Sequence, residues 1–246
     1  MSNPTRRNLI KSGIAAAAGV TGLAAAARIA DSYNLVPPNY VGGLYRAGDT
    51  LTYAAQRLIT SQSLAREFPT SKISKTPFAN GKPPKDAQFL QLAADNFAGW
   101  NLTIDGLVAR PTTLSLAALK ALPARTQITH MACEEGWSFI AEWIGIPLSE
   151  LLQSAGILPQ ARYVVYRSHQ KNWWSSIDMA DALHPQTFVT YGFNGAALPI
   201  GHGGPLRLRV ARQLGYKNIK FLTRITVTDS LANHQRKTPY SWYAGI

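Results

Sequence analysis

Residues 132–152 read Ala132-Cys133-Glu134-Glu135-Gly136-Trp137-Ser138-Phe139-Ile140-Ala141-Glu142-Trp143-Ile144-Gly145-Ile146-Pro147-Leu148-Ser149-Glu150-Leu151-Leu152. The residues just before, Thr126 to His130, have the composition of a strand leading into the cysteine. Those just after place Leu148, Leu151, Leu152 and Ala155 on one helical face, which Gly156 stops. Cys133 therefore sits at the end of a strand, followed by acid, glycine and tryptophan, a neighbourhood that packing explains poorly. A soft thiolate is a good ligand for a redox metal, and it loses its proton on binding. The chain contains one cysteine, so an internal disulfide is excluded, and so is the cysteine pair of a covalently attached c-type haem.

Two further stretches accompany the cysteine segment, the first of which carries polar groups suited to an anionic, flat ligand. The first is Asn194-Gly195-Ala196-Ala197-Leu198-Pro199-Ile200-Gly201-His202-Gly203-Gly204-Pro205-Leu206-Arg207-Leu208-Arg209-Val210. Its glycines let backbone come close to a ligand, Arg207 offers a guanidinium fork that matches phosphate, and His202 offers a ring nitrogen. The second is Gly215-Tyr216-Lys217-Asn218-Ile219-Lys220-Phe221.

Together these residues resemble the sulfite-oxidase superfamily of molybdopterin-dependent oxidoreductases. Cys133 to Ser138 and Trp143 to Leu148 are similar to its molybdenum-ligating stretch, most of all in the branch that contains the periplasmic methionine-sulfoxide reductase catalytic subunit. In that family one cysteine thiolate and the pterin dithiolene hold a single molybdenum. The resemblance implies Cys133 as metal ligand and catalytic residue, and His202, Arg207, Asn218, Ile219 and Lys220 as pterin and phosphate contacts. Asp95 to Trp100 is similar to the family's first pterin-contact segment, which implies Asn96, Ala98 and Gly99; Ala98 and Gly99 stand where the reductase has larger residues. Ser168, after Tyr166-Arg167, falls where that branch has a hydroxyl near the cofactor.

The rest of the chain fits a β-rich α+β domain with a mixed sheet, of sulfite-oxidase type. Trp100, Leu102 and Ile104 alternate as in a half-buried strand, and Asp105-Gly106 turns the chain. Tyr163–Tyr166, Thr187–Tyr191, Leu206–Val210 and Phe221–Val227 read as strands, and Ser115 as the cap of a short helix ending before Pro123. A helix is expected from Thr50 to Glu67, stopped by Phe68-Pro69. The expected division is a leader over 1–30, an extension with one helix over 31–84, and the catalytic domain over 85–246.

The chain has 246 residues, 46% hydrophobic and 15% charged, a composition that argues against disorder. Of the net +12, Arg6, Arg7, Lys11 and Arg28 supply four in an acid-free leader, leaving +8 for the remainder. That excess forms no Lys/Arg tract and accompanies no nucleic-acid motif, which favours a focused anion pocket over nucleic acid. Thr5-Arg6-Arg7-Asn8-Leu9-Ile10-Lys11, followed by the apolar run Gly13 to Ala27, resembles a twin-arginine export signal and implies a periplasmic destination. The run is compatible with cleavage between Ala24 and Tyr33, or with retention as a membrane anchor.

The expected activity is two-electron oxygen-atom transfer to or from a small-molecule oxide. Glu134 and Glu135 stand beside Cys133, where a dianion would want positive charge. Trp137, Trp173 and Trp174 suit a neutral or zwitterionic substrate with an apolar part. Reduction of S-oxides or N-oxides, methionine sulfoxide foremost, is therefore expected, with electrons from a separate, haem-bearing membrane subunit. The alternatives are a sulfite oxidase and a non-catalytic periplasmic cofactor-binding protein.

Overall fold

Strand β1 (Asn101–Gly106) shows how the apolar pattern builds the molecule: Leu102 and Ile104 are fully buried, while their neighbours stay at least partly accessible. It pairs antiparallel with β2 (Thr112–Ser115) and parallel with β10 (Leu222–Thr228). A side chain at Gly106 would collide with the Val227 carbonyl, and its φ of +84° favours glycine, so Asp105-Gly106 can hug β10 before turning away. Next to β10 lie β5 (Tyr163–Ser168) and β6 (Trp174–Asp178), giving one five-stranded mixed sheet in the order β2-β1-β10-β5-β6. The second sheet runs β3 (Arg125–Ala132), β4 (Ser138–Pro147), β7 (Thr187–Phe193), β8 (Ala196–Ala197), with β9 (Arg207–Val210) also paired to β7. The architecture is the α+β, mixed-sheet one expected from the sequence.

The computed structural model describes residues 47–60, 62–234 and 242–243, so the leader lies outside the described residues. The chain divides into two compact units, Met1–Thr60 and Ser61–Ile246. In the first, α1 (Ala47–Ile59) carries Asp49 in its first turn and Arg57 in its last, charges that suit the helix dipole. It ends well before the expected Glu67. The apolar periodicity gives out at Ile59, and the chain beyond Ser61 is extended: Phe68 N–H donates to the Ile128 carbonyl, and Glu67 bridges Thr129. Glu67, Phe68 and Ser74, which fall within the extension expected over 31–84, bond to the second sheet, and the second compact unit begins at Ser61. No helix among the described residues is long and apolar enough to cross a membrane.

Within the second unit, α2 (Ala87–Ala94) is capped by Asp86, α3 (Leu116–Ala121) by Ser115, and α4 (Leu148–Ala155) ends at left-handed Gly156. The main core takes Leu102, Ile104, Val164, Tyr166, Ile225 and Val227 from the first sheet. The second sheet contributes Ile146, Val189, Leu208 and Val210, and α4 adds Leu148, Leu151 and Leu152. Each buried aliphatic side chain contributes about 1.5–3 kcal/mol. A smaller cluster of Met131, Phe139, Ala141, Trp143, Phe193 and Leu198 lies under one end of the second sheet, and the candidate site is built on it.

Candidate active site

The β3–β4 hairpin aligns Ala132 with Ser138, and Cys133 to Trp137 form its loop. Cys133 N–H donates to the Trp137 carbonyl (2.9 Å) and Gly136 N–H to the Cys133 carbonyl (3.0 Å), which fixes the cysteine at the strand tip. The short helical turn Gly215–Lys217 closes over it: a side chain at Gly215 would stand 3.2 Å from Cys133 Sγ. Cys133 Sγ donates to Glu134 Oε2 (3.2 Å), which also accepts from Tyr216 N–H (3.2 Å). Burial pushes the thiol up to about 11; a backbone bond from Glu135 opposes the shift, and the carboxylates of Glu134 and Glu135 add to it. Without a cation beside it this sulfur keeps its proton; a metal ion inverts that preference.

Strand β9 divides its residues between two environments, because alternate side chains leave opposite faces. Leu206, Leu208 and Val210 enter the main core. Arg207 and Arg209 leave the other face and lie over the Trp143 ring, their guanidinium carbons 5.5 and 5.2 Å from its centroid. Arg207 donates to the His202 carbonyl (2.8 Å) and to Met131 Sδ (3.5 Å), two residues before Cys133. Its Nε is buried and unpartnered. Arg209, fully buried, ties three segments together. It donates to the His130 carbonyl on β3 (2.8 Å), to its neighbour Val210's carbonyl (3.2 Å) and to Asn218 Oδ1 (2.9 Å). Burial draws Arg207 down to about 10 and Arg209 to about 9, and both keep their charge at neutral pH.

Lys220 completes the group. Its Nζ donates to the carbonyls of Asn80 and Gly201, both at 2.5 Å, and its aliphatic stem fills the space a side chain at Gly203 would need. Burial, then the Arg207 charge, lowers it to about 8. The next residue, Phe221, holds the left-handed φ of 56°, which costs about 1–2 kcal/mol for a bulky residue. Burial of its ring and an N–H bond to the Gly203 carbonyl keep it there. His202 stacks on Phe193 (4.5 Å between centroids) and is held near a pKa of about 4 by burial and by the charges of Arg207 and Lys220, so it is neutral at pH 7. No carboxylate pairs with Arg207, Arg209 or Lys220 among the described residues.

Cys133, His202, Arg207 and Lys220 are thus brought together. The other expected contacts are placed differently. The Asn218 side chain is committed: it accepts from Arg209 and Val210 N–H and donates to the carbonyls of Gln213 and Leu214. Ile219 sits in the main core, its carbonyl accepting from Leu208 N–H. Asn96, Ala98 and Gly99 lie in an exposed turn after α2, which makes no hydrogen bond to the cysteine loop or to Arg207. That turn joins the site's neighbourhood through Phe97, which packs on Phe89 and Trp100; Phe89 in turn meets Phe221. Ser168 ends β5 opposite Leu222, its hydroxyl accepting from Gln170 N–H. Trp137 flanks the cysteine loop, whereas Trp173 is exposed at 45% in the β5–β6 hairpin and Trp174 donates to the His234 carbonyl. Sequence reasoning missed Arg209, although the alternation Arg207-Leu208-Arg209 placed both guanidinia on one face.

Among the described residues no group of three His, Cys, Asp or Glu side chains is placed to hold a metal ion. The donor set instead fits a group that brings its own metal ligands and a phosphate. It offers one soft sulfur, a glycine-lined approach to it, and buried or part-buried cations without carboxylate partners, two of which, Arg207 and Arg209, have an orphaned Nε–H. Residues 90–235 match the family described as "Oxidoreductase molybdopterin binding domain", and the chain belongs to that family. The family match identifies the chain as a molybdenum-dependent oxidoreductase that binds molybdopterin. It is 35% identical over 76% of its length to an Azospira oryzae protein provisionally named protein-methionine-sulfoxide reductase subunit YedZ1, and covers 70% of that protein. It is 29% identical over 92% of its length to the protein-methionine-sulfoxide reductase catalytic subunit MsrP of Xanthomonas axonopodis, again covering 70%. The sulfane dehydrogenase SoxCD of Paracoccus pantotrophus shares the fold, with a TM-score of 0.52 and 24% identity over 54% of this chain and 39% of that one.

Proposed function

We propose that this oxidoreductase reduces S-oxides, methionine sulfoxide foremost, with Cys133 as the protein's ligand to molybdenum and Arg207, Lys220 and His202 holding the pterin and its phosphate. The observation that carries the direction is the surroundings of Cys133. Glu134 and Glu135 follow it, and among the described residues their hydrogen-bond partners are neutral donors: the thiol and Tyr216 N–H for Glu134, Asn80 and Trp137 for Glu135. A sulfite dianion brought there meets carboxylates not neutralised by cations; a neutral sulfoxide does not. The names of the relatives, methionine-sulfoxide reductase subunits, support the same reading.

Bound molybdopterin supplies a metal that changes oxidation state by two electrons as oxygen leaves the substrate. The chain's own residues position it. Cys133 is held at a strand tip, Arg207 and Lys220 offer charge-assisted bonds to phosphate, and neutral His202 offers a ring nitrogen without adding charge. Two electrons and two protons convert the S-oxide to thioether and water; we assign the electrons to a haem-bearing membrane subunit outside this chain. Asn96, Ala98, Gly99, Ser168, Asn218 and Ile219 would contact the pterin through backbone groups or through side chains that reorient on binding. Residues 1–30 act as a twin-arginine signal that delivers the folded protein to the periplasm. Replacing Arg6 and Arg7 by Lys together is expected to leave the protein in the cytoplasm, as cell fractionation would show.

The test is steady-state turnover of molybdenum-loaded protein in both directions. Reduction of methionine sulfoxide with a reduced dye, and no rapid sulfite oxidation, is the expected result. Rapid sulfite oxidation with no turnover of any S-oxide or N-oxide would replace this reading with a sulfite oxidase.

A further inference from the structure

The stretch from Ser74 to Asp86 contains no helix or strand, yet it is pinned along its length. Ser74 exchanges two bonds with Ile140 on β4, its N–H to the Ile140 carbonyl (2.9 Å) and its hydroxyl from Ile140 N–H (3.0 Å). At the far end Lys82's carbonyl accepts from Gln170 Nε2 (3.3 Å), and Asp86 meets His169 Nε2 (3.0 Å). Between these anchors the strap crosses the candidate site. Asn80's carbonyl accepts from Lys220 Nζ (2.5 Å), while its amide donates to Glu135 Oε2 (2.7 Å), which also accepts from Trp137 Nε1 (2.9 Å). One residue of the strap therefore touches both a cation proposed to hold the cofactor and the carboxylate that orients a tryptophan of the cysteine loop.

Beside Asn80, Phe78 is 54% exposed, its ring 5.2 Å from that of Trp137 and tilted by 53°. Alone, an exposed aromatic is ordinary, but here the Phe78 and Trp137 rings form one apolar pair beside the cysteine loop, and covering it with a ligand would bury apolar surface that folding leaves in water. Trp137 is backed by Phe139, stacked at 6.1 Å, and its carbonyl accepts from Cys133 N–H. Its ring N–H is already bound to Glu135, so the pair presents mainly aromatic faces and edges. Thioether and methyl-sulfur groups pack well against such rings.

We propose that the strap forms the outer wall of the substrate site beside Cys133: Phe78 and Trp137 grip the apolar flank of a methionine-sulfoxide side chain carried on a polypeptide, and Asn80 holds the wall in register with Lys220. Phe78 and Trp137 are specificity-determining residues in this scheme, and Asn80 is a positioning residue. The inference rests on the S-oxide reading above.

The experiment compares wild type, Phe78→Ala, Phe78→Tyr and Asn80→Ala, all molybdenum-loaded, with a reduced dye as electron source. The substrates are a short peptide with a central methionine sulfoxide and dimethyl sulfoxide, which has no side chain to grip. Phe78→Ala is expected to raise KM for the peptide about tenfold with kcat changed by less than about twofold, the pattern of lost uniform binding. Dimethyl sulfoxide kinetics should respond far less, and Phe78→Tyr should restore the peptide KM. Asn80→Ala should shift the peptide KM in the same direction by a smaller factor. Molybdenum content of Phe78→Ala should match wild type and its thermal midpoint should fall by no more than a few degrees, because about half of the residue is in solvent. Equal effects on both substrates, or none on either, would overturn the inference while leaving the S-oxide reading intact. A wild type that reduces neither substrate would overturn both.

Discussion

Lys217 and Lys220 lie three positions apart on one loop, the first buried and the second part-buried, and their surroundings are opposite. Lys217, 2% exposed, donates to the Ser176 carbonyl (2.8 Å), lies over the Trp242 ring (5.0 Å), and feels the carboxylates of Asp181 and Asp178. Lys220 is bonded to two neutral carbonyls, and the charge named in its environment is that of Arg207. Burial lowers both, to about 7 and about 8, but only Lys217 has acids pulling the other way. A cation matched by anions within the chain is a structural feature. One placed beside further cations, with no carboxylate partner among the described residues, is completed by an anion from outside.

The sharpest way to break this comparison begins at the Cys133 sulfur, which this loop covers at Gly215. Cys133→Ser is expected to lower turnover by at least about a hundredfold, because a hydroxyl is a harder and poorer ligand, while circular dichroism reports an intact fold. Full activity in that variant would remove the ligand assignment.

The two lysines should then separate cleanly. Arg207→Ala and Lys220→Ala are each expected to weaken cofactor retention by about 1.5–3 kcal/mol, the size of a charge-assisted bond, read as pterin released per folded chain. Lys217→Met should behave in the reverse sense. Leaving Asp178 and Asp181 without it is expected to reduce unfolding stability by about 3 kcal/mol in denaturant titrations, with pterin per folded chain near wild type. Loss of pterin from the Lys217 variant, with stability unchanged, would show the comparison to be inverted.

The smallest effect is a pH dependence. Lys220 is lowered from 10.5 to about 8 in the folded protein. Between those values the unfolded chain binds the proton and the folded one does not, so stability of the cofactor-free protein rises with pH across that window. Lys217, lowered to about 7, contributes a slope of the same sign. Lys220→Met should therefore remove about one proton's worth of the slope between pH 8 and 10.5. Pterin retention should move the other way in wild type, falling as pH rises through about 8 and the lysine loses its charge.

These contrasts also show what could be read from residues alone. Cys133 at a strand end, the Gly156 stop and the Ser115 cap depend on local spacing, and the structure has all three. Arg207 was legible as a donor from its guanidinium and the glycines before it, whereas Lys220 was legible only through the family resemblance of its segment. That Asn218 spends its side chain on Arg209 was not legible, since the partner lies across a loop and the bond depends on tertiary placement. Equally hidden was the strap. Residues 74–86 have no periodicity, and Phe78 and Asn80 acquire meaning only when Trp137, Glu135 and Lys220 are brought to them across the fold. The extended course of the chain after α1 belongs to the same class, because Gln186, in the turn before β7, reaches back to Ala65 and Glu67.

The central claim is that the Cys133 sulfur binds the molybdenum, and X-ray absorption at the molybdenum edge tests it most directly. Comparison of wild type with Cys133→Ser, each with its pterin content measured, isolates the protein's own sulfur from those of the cofactor. The account expects the variant to retain pterin through Arg207 and Lys220 and to show one fewer sulfur neighbour at the metal. An unchanged sulfur shell in a pterin-loaded variant would contradict it.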